Sequence, residues 1–282
     1  CNVDKDCVIQ SIDRPSVYEV PLCMAAQQLD QVILKKFGME VTGEADLTAW
    51  HRFLERKAKA ERIVHVALVG KYDLQDAYKS ILECLSQAGT YNDCKVLTHF
   101  VQSEGLTHET VAGQLEGMDG VIICPGFGSR GIEGKIVAAE YCRTTDKPAL
   151  GICLGMQMLF EKSYEYGEHE GLGLIPGKVI SMEGVVPADY KIPHIGWNAL
   201  HFKQACPIFK DIQEGDCVYF VHSYFASGCD DYVTATAEYG PELTAAVANK
   251  NVFGCQFHPE KSGNVGLAIL KAFTQLKEDD LC

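Results

Sequence analysis

From residue 62 onward the chain alternates short apolar, β-rich runs with stretches of helical period, and few architectures accept that pattern. "RIVHVALVG" reads as a buried strand and "LQDAYKSILECLSQAG" as a helix closed by glycine. "CKVLTHFV", "GVIICPG" and "PALGIC" read as further strands, separated by helices at "HETVAGQL" and "EGKIVAAEYCR" and followed by one at "LGMQMLFEKS". Strands joined through helices pair in parallel and need cover on both sides. The expected fold is therefore α/β, an open, mostly parallel sheet with helices on both faces. After residue 171 the strand-like runs follow more closely: "GKVISM", "HIGWNAL", "CVYFVHSYF", "YVTATAEYG", "LTAAVAN" and "VFGCQFH". That spacing predicts antiparallel additions, with "GNVGLAILKAFTQL" as a closing helix.

Residues 1–60 read differently. "IDRPSVYEVPL" is extended and punctuated by proline, while "AAQQLDQVILKKFG" and "DLTAWHRFLERKAKA" carry a helical period. The expected organisation is a helical arm or linker over 1–60, leaving an upstream domain, and a main domain over 61–282. The chain starts at a cysteine rather than a methionine, which fits a piece of a longer protein.

Composition removes several classes of function. A net charge of −13 argues against a nucleic-acid partner, which calls for a basic face. No apolar run is long enough to span a membrane, and no signal peptide opens the chain, so the expected location is cytoplasmic. The thirteen cysteines form no C-x-x-C pair and no cluster at zinc spacing. Twelve of them read as small buried hydrophobes in a reducing compartment, and no metal site is expected.

Cys153 is the exception. "ALGICLGMQMLF" places it between Gly151 and Gly155, at the end of one strand and the start of a helix. Ligands of open parallel sheets gather at the carboxyl ends of strands. The glycines allow a sharp corner that presents the sulfur, and a helix N-terminus favours thiolate. Such a corner is either the thiol version of a nucleophile elbow, with the Leu154 N–H facing a developing oxyanion, or a buried turn.

A nucleophile needs a base, and the base needs an orienting group. "FGCQFHPEKSG" supplies His258 and Glu260 two residues apart, on one side of an extended segment that Pro259 keeps from becoming helical. His194 and His222 lack a carboxylate at that spacing and read as packed histidines for base chemistry. The loop "CPGFGSRG" follows another strand. Gly126 and Gly128 would let a peptide beside Phe127 turn its N–H toward the site as a second oxyanion donor. A phosphate loop is the alternative, but no G-x-x-x-x-G-K-S/T occurs anywhere in the chain.

P-G-x-G, G-x-C-x-G-x-Q and F-H-P-E-K-S, in that order, resemble the class I (triad) glutamine amidotransferases, whose fold is flavodoxin-like. The resemblance implies Cys153, His258 and Glu260 as the catalytic triad, hydrolysing L-glutamine through a cysteine thioester. Gly126, Phe127 and Leu154 would form the oxyanion hole. Gln157 and Glu165 would contact the substrate, and His222, Ser223 and Tyr224 would border its carboxylate. The ammonia would go to a synthetase domain or subunit, in an oligomer of the full-length enzyme. ATP and magnesium would belong to that missing domain, with no cofactor in this chain. The first half, with "VALVGKYDLQDAYKSILECL" and "GFGSRGIEGKIVAAEYCR", resembles the glutaminase domain of CTP synthases. The second half, with "GLGLIPGKVI", "IPHIGWNAL" and "VYFVHSYF", resembles the glutaminase of imidazole glycerol phosphate synthase, whose motifs build a docking face toward a cyclase barrel. CTP synthase is the leading expectation for the parent. The glutaminase of imidazole glycerol phosphate synthase is the runner-up, and a hybrid chain, a silent regulatory relative and a triad cysteine hydrolase are the other readings.

Overall fold

A computed structural model describes residues 3–41, 43–72, 75–126 and 130–276. The chain divides into two compact units, Cys1–Ala60 and Glu61–Cys282. The first carries α1 (Val20–Ala26), α2 (Leu29–Lys36) and α3 (Thr48–Lys59). Gln28, in the left-handed region at φ 57°, separates α1 from α2. "VYEVPL" is not extended: a 3-10 turn over Val17–Glu19 runs directly into α1, whose proline stands in the first helical turn, where a missing N–H costs nothing. Tyr18 and Phe53 pack with ring centroids 5.1 Å apart and form this unit's aromatic centre with Trp50.

In the second unit the elements run β1 (Arg62–Gly70), α4 (Lys79–Tyr91), β2 (Cys94–Gln102), α5 (Val111–Gln114), β3 (Gly120–Ile123), α6 (Ile132–Thr144), β4 (Ala149–Ile152) and α7 (Leu154–Gln157). Then come β5 (Phe160–Ser163), β6 (His169–Glu170), β7 (Ile175–Ser181), β8 (His194–Ala199), β9 (His201–Phe202), β10 (Cys217–His222) and β11 (Tyr224–Ser227). The chain closes with β12 (Val233–Glu238), β13 (Glu242–Asn249), β14 (Val252–Cys255) and α8 (Gly263–Phe273).

The main sheet has the order β2-β1-β3-β4-β14-β13-β12-β9. Its first five strands are parallel, and β13, β12 and β9 continue it antiparallel. β1 explains the two-sided cover. Val64, Val66 and Leu68 point into one core with Ile81 and Leu85 of α4 and Ile269 and Leu270 of α8. Ala67 and Val69 point into another with Val137 and Ala138 of α6 and Leu115. Alternate side chains leave a strand on opposite faces, so a run that is apolar throughout calls for helices on both. Each fully buried Leu, Ile or Phe contributes about 1.5–3 kcal/mol. Two smaller sheets, β10-β8 and β11-β7-β5-β6, hold the remaining strands.

Three local expectations need correction. Helix α4 does not stop at Gly89 but continues to Tyr91. Gly89 is there for approach, since a Cβ would sit 2.9 Å from the Cys94 carbonyl. "LGMQMLFEKS" is one helical turn followed by strand β5, because Phe160 is buried in a separate core and pairs with Ile175 of β7. "CVYFVHSYF" is two strands broken at Ser223, each pairing in a different small sheet.

Candidate active site

The ends of β1, β3, β4 and β14 lie side by side in the sheet, so the residues just beyond them gather at one edge. Cys153, directly after β4, has φ 54° and ψ −109°, a conformation that non-glycine residues rarely take. The sheet enforces it. The Cys153 N–H donates to the Cys255 carbonyl at 2.8 Å, while the Cys153 carbonyl already accepts from Met156 and Gln157 of α7. Neighbours leave no room for relaxation. A Cβ on Gly155 would meet the Ile123 carbonyl at 2.5 Å, and one on Gly151 would meet the Gly155 backbone at 2.6 Å. Backbone strain of this kind costs on the order of 1–3 kcal/mol and turns the sulfur out of the sheet.

His258 follows β14 in extended conformation, and its backbone N–H donates to the Tyr219 carbonyl at 2.9 Å. Its Nδ1 stands 2.7 Å from Oε1 of Glu260, both side chains being almost fully buried. The spacing of two does bring them together, but Pro259 opens a 3-10 turn over Pro259–Lys261 rather than holding the segment extended. With Nδ1 committed to Glu260, Nε2 is the ring nitrogen left for a further partner. Burial pulls the His258 imidazole down. The pull of Cys153 and Glu260 outweighs it, carrying the ring up to about 9. Oε2 of Glu260 is buried without a hydrogen-bond partner among the described residues, so its charge acts on the imidazole undiluted.

The expected oxyanion residues are distributed as follows. Leu154 is the first residue of α7, next to the sulfur. Gly126 lies three residues past the end of β3, directly after Pro125, at φ 158°. Phe127 lies outside the described residues. Gln157 is buried, and its amide nitrogen donates to the Tyr224 carbonyl at 3.1 Å and to Gln256 Oε1 at 3.0 Å. Its carbonyl oxygen is the atom left for a ligand. Tyr224 opens β11, Ser223 separates it from β10, and Glu165 follows β5 with its carboxyl raised by burial.

His222 and His194 form a buried pair at 3.2 Å, with His222 Nδ1 2.8 Å from the Tyr224 carbonyl. Burial pulls His222 down to about 4 and lowers His194 as well, and their ring nitrogens are engaged with each other, with Asn198 and with the Tyr224 carbonyl, so both are weak bases already occupied.

Three contributors were not singled out from the sequence. Gln256, fully buried, places its amide nitrogen 3.8 Å from the Cys153 sulfur. It stands two residues before His258, so strand alternation alone could have found it. Ser262 fixes the His258 segment by donating to the His258 carbonyl at 2.6 Å and accepting from the Tyr219 N–H at 3.0 Å. Lys135 is buried beneath Gly126. Among the described residues no group of three or more His, Cys, Asp or Glu side chains could hold a metal, and no helix is long and apolar enough to cross a membrane.

Comparison with known proteins meets this geometry from outside. A CTP synthase of Bacteroides thetaiotaomicron is 61% identical over 161 residues, covering 56% of this chain and 30% of the relative. The CTP synthase of Bacteroides fragilis is 57% identical over 160 residues, with the same coverage. The chain thus spans under a third of the length of these relatives, and a large part of it lies outside the matched stretch. The solved glutaminase domain of Trypanosoma brucei CTPS with bound acivicin superposes with a TM-score of 0.61 at 23% identity. That match covers 76% of this chain and 95% of the solved one, a likeness of fold. Residues 73–275, from the first crossover through the end of α8, match the family described as Glutamine amidotransferase class-I. With its mixed sheet and a strained cysteine at the edge where ligands gather, the chain belongs to the class I glutamine amidotransferases.

Proposed function

We propose that this chain is a glutaminase that releases ammonia from L-glutamine for a synthase. The observation that carries the reading is His258, held by Glu260 at 2.7 Å beyond the strand that neighbours the one ending at the strained Cys153, with Gln256 of the same segment 3.8 Å from the sulfur. The Cys153 thiolate attacks the side-chain carboxamide carbon, and a C–S bond forms as the carbonyl π pair moves to oxygen. The Leu154 N–H and a peptide of the Gly126–Phe127 segment receive that oxyanion. Collapse breaks the C–N bond, and the His258 imidazolium supplies the proton that lets ammonia leave. His258 then accepts a proton from the water that opens the thioester to glutamate. Glu260 orients the ring and offsets its charge through both steps. Gln157 and Glu165 meet the substrate's amino-acid end, with the His222–Tyr224 segment beside its carboxylate. A cytosolic setting belongs to the same reading and is supported by free thiols at every described cysteine.

CTP synthase is the proposed parent, supported by 61% identity over 161 residues to a curated CTP synthase. One observation favours the second reading, the glutaminase of imidazole glycerol phosphate synthase. Strand β8 exposes Ile195 and Trp197 at 59% and 54% beside Tyr219, whose ring lies 6.0 Å from the Lys261 ammonium. That apolar face connects through the Tyr219 carbonyl to the backbone of His258, as a surface receiving an ammonia acceptor would. Adding a separately made CTP synthase amidoligase domain or the cyclase subunit, each with its acceptor ligands, separates the two. The reading expects glutamate release from the chain alone to be slow, and the amidoligase domain to raise it. Stimulation by the cyclase alone would move the assignment to the second parent, and full speed without either would remove the case for a partner.

A further inference from the structure

Lys135 is the largest fully buried side chain that the glutaminase mechanism leaves unused; it is 1% exposed. Its position is built by close packing. Helix α6 is preceded by Gly131, with φ 72°, where a Cβ would stand 2.4 Å from the Ser103 hydroxyl. At Gly134 a Cβ would meet the Ser103 carbonyl at 1.8 Å. Only two glycines allow the first turn of α6 to press against the end of β2, and that seating carries the next residue, Lys135, under the end of β3. There its Nζ donates to the Cys124 carbonyl at 2.8 Å. The same nitrogen lies 3.6 Å from where a Cβ on Gly126 would stand, and Lys71, itself buried after β1, brings its Cε to 3.0 Å from that point.

A buried ammonium is costly unless negative charge faces it. The groups acting on Lys135 are Cys124 from β3, Lys71 from β1 and Cys153 from β4, with the Ser103 hydroxyl packed at the end of β2. On its own helix, Glu133 is exposed. Among the described residues none of the charges acting on it is a carboxylate. The anion that matches this cation is therefore the one that forms during reaction, at the Cys153 sulfur and the neighbouring oxyanion.

We propose that Lys135 is a positioning residue of the glutaminase site. Its ammonium clamps the end of β3, so that Pro125–Gly126 faces Cys153, and holds a fixed positive charge beneath the developing anion. The proposal rests on the glutaminase reading above. Burial, with repulsion from Lys71, pulls the Lys135 ammonium down to about 8, against the opposing pull of Cys124 and Cys153. Raising pH through that value removes the charge, so turnover falls there, before the loss of the His258 proton near 9.

The test is a steady-state pH profile of the full chain with glutamine, for wild type, Lys135→Met and Lys135→Arg, alongside mass-spectrometric labelling of Cys153 by acivicin. Wild type should show an alkaline loss of kcat near pH 8. Lys135→Met should lose about 30- to 100-fold in kcat with KM within about threefold, and the limb near 8 should vanish. Lys135→Arg, charged at every pH used, should recover about tenfold of that loss and also lack the limb. Lys135→Met with wild-type kcat, or with the limb intact, overturns the proposal. If Lys135→Met does not fold, a wild-type kcat that is flat between about pH 7 and about pH 8.5 overturns it on its own. A wild-type chain that neither hydrolyses glutamine nor takes the label at Cys153 overturns the glutaminase reading itself, a failure distinct from an active enzyme indifferent to Lys135.

Discussion

Cys153 and Cys255 stand at the ends of neighbouring parallel strands, joined by one backbone hydrogen bond of 2.8 Å, and they have opposite environments. Cys255 is the last residue of a regular strand, paired with Ile152 on one side and Ala246 on the other. It is fully buried, and burial pushes its thiol far above the ordinary range. Cys153 is one residue past its strand, where the chain turns at φ 54°. That single corner turns the sulfur toward Gln256, whose amide nitrogen lies 3.8 Å away on the segment that bears His258. In the proposed mechanism, backbone direction and the polar partners it reaches, rather than residue type or proximity, decide which thiol reacts.

The largest effect that sharpens this contrast is deletion of each sulfur. Cys153→Ala should reduce glutamine turnover by roughly 10⁴-fold or more. Cys255→Ala should leave turnover within about threefold and lower the unfolding free energy by about 1–2 kcal/mol, read from urea midpoints. Equal losses of turnover in both variants would break the comparison. The partners come next. Removing the base in His258→Ala should abolish measurable turnover. Glu260→Gln keeps the ring in place and should leave a remainder about 10³-fold below wild type. A His258→Ala enzyme with unchanged turnover would place the base elsewhere.

The corner itself can then be bent. Gly155→Ala forces a Cβ against the Ile123 carbonyl at 2.5 Å and must displace α7. We expect about 2–3 kcal/mol of lost stability and about 10²-fold lower kcat, since a shift near 1 Å at a nucleophile is enough for that. Unaltered kinetics in Gly155→Ala would mean that the elbow tolerates relaxation.

The smallest effect is on stability against pH, and it separates the two strand ends by window. The His258 ring is raised from 6.5 to about 9 in the fold, so its contribution is complete below 6.5 and is lost as pH rises through about 9. It amounts to no more than about 3 kcal/mol. Cys255, also raised, costs stability only above the 9.0 at which the unfolded thiol ionises. Urea midpoints should therefore fall between pH 6.5 and about 9 in wild type but not in His258→Gln. A slope that persists in the variant would assign the window to another group.

The placement of Cys153, His258 and Glu260 was legible in the sequence because the signals are local: a thiol between glycines at a strand end, and a His and a Glu two residues apart. The parallel half of the sheet was legible for a related reason, since two-sided burial leaves an apolar run such as "RIVHVALVG". What escaped depends on packing between distant segments. Lys135 reads as one more solvated helical lysine in "EGKIVAAEY" until Gly131 and Gly134 are seen pressed on Ser103. The single turn of α7 looked like a longer helix because "MLFEKS" takes its strand character from pairing with β7. Gln157 reads as a substrate contact, yet its amide nitrogen is engaged by Tyr224 and Gln256.

The claim that one backbone corner selects one thiol is tested most directly by mapping where a glutamine-like electrophile attaches. Wild-type protein treated with a stoichiometric amount of acivicin, then digested and sequenced by mass spectrometry, should carry one adduct, on Cys153. His258→Ala should slow its formation, while Cys255 stays unmodified. An adduct on Cys255, or label spread over several cysteines with no preference for Cys153, would contradict the account.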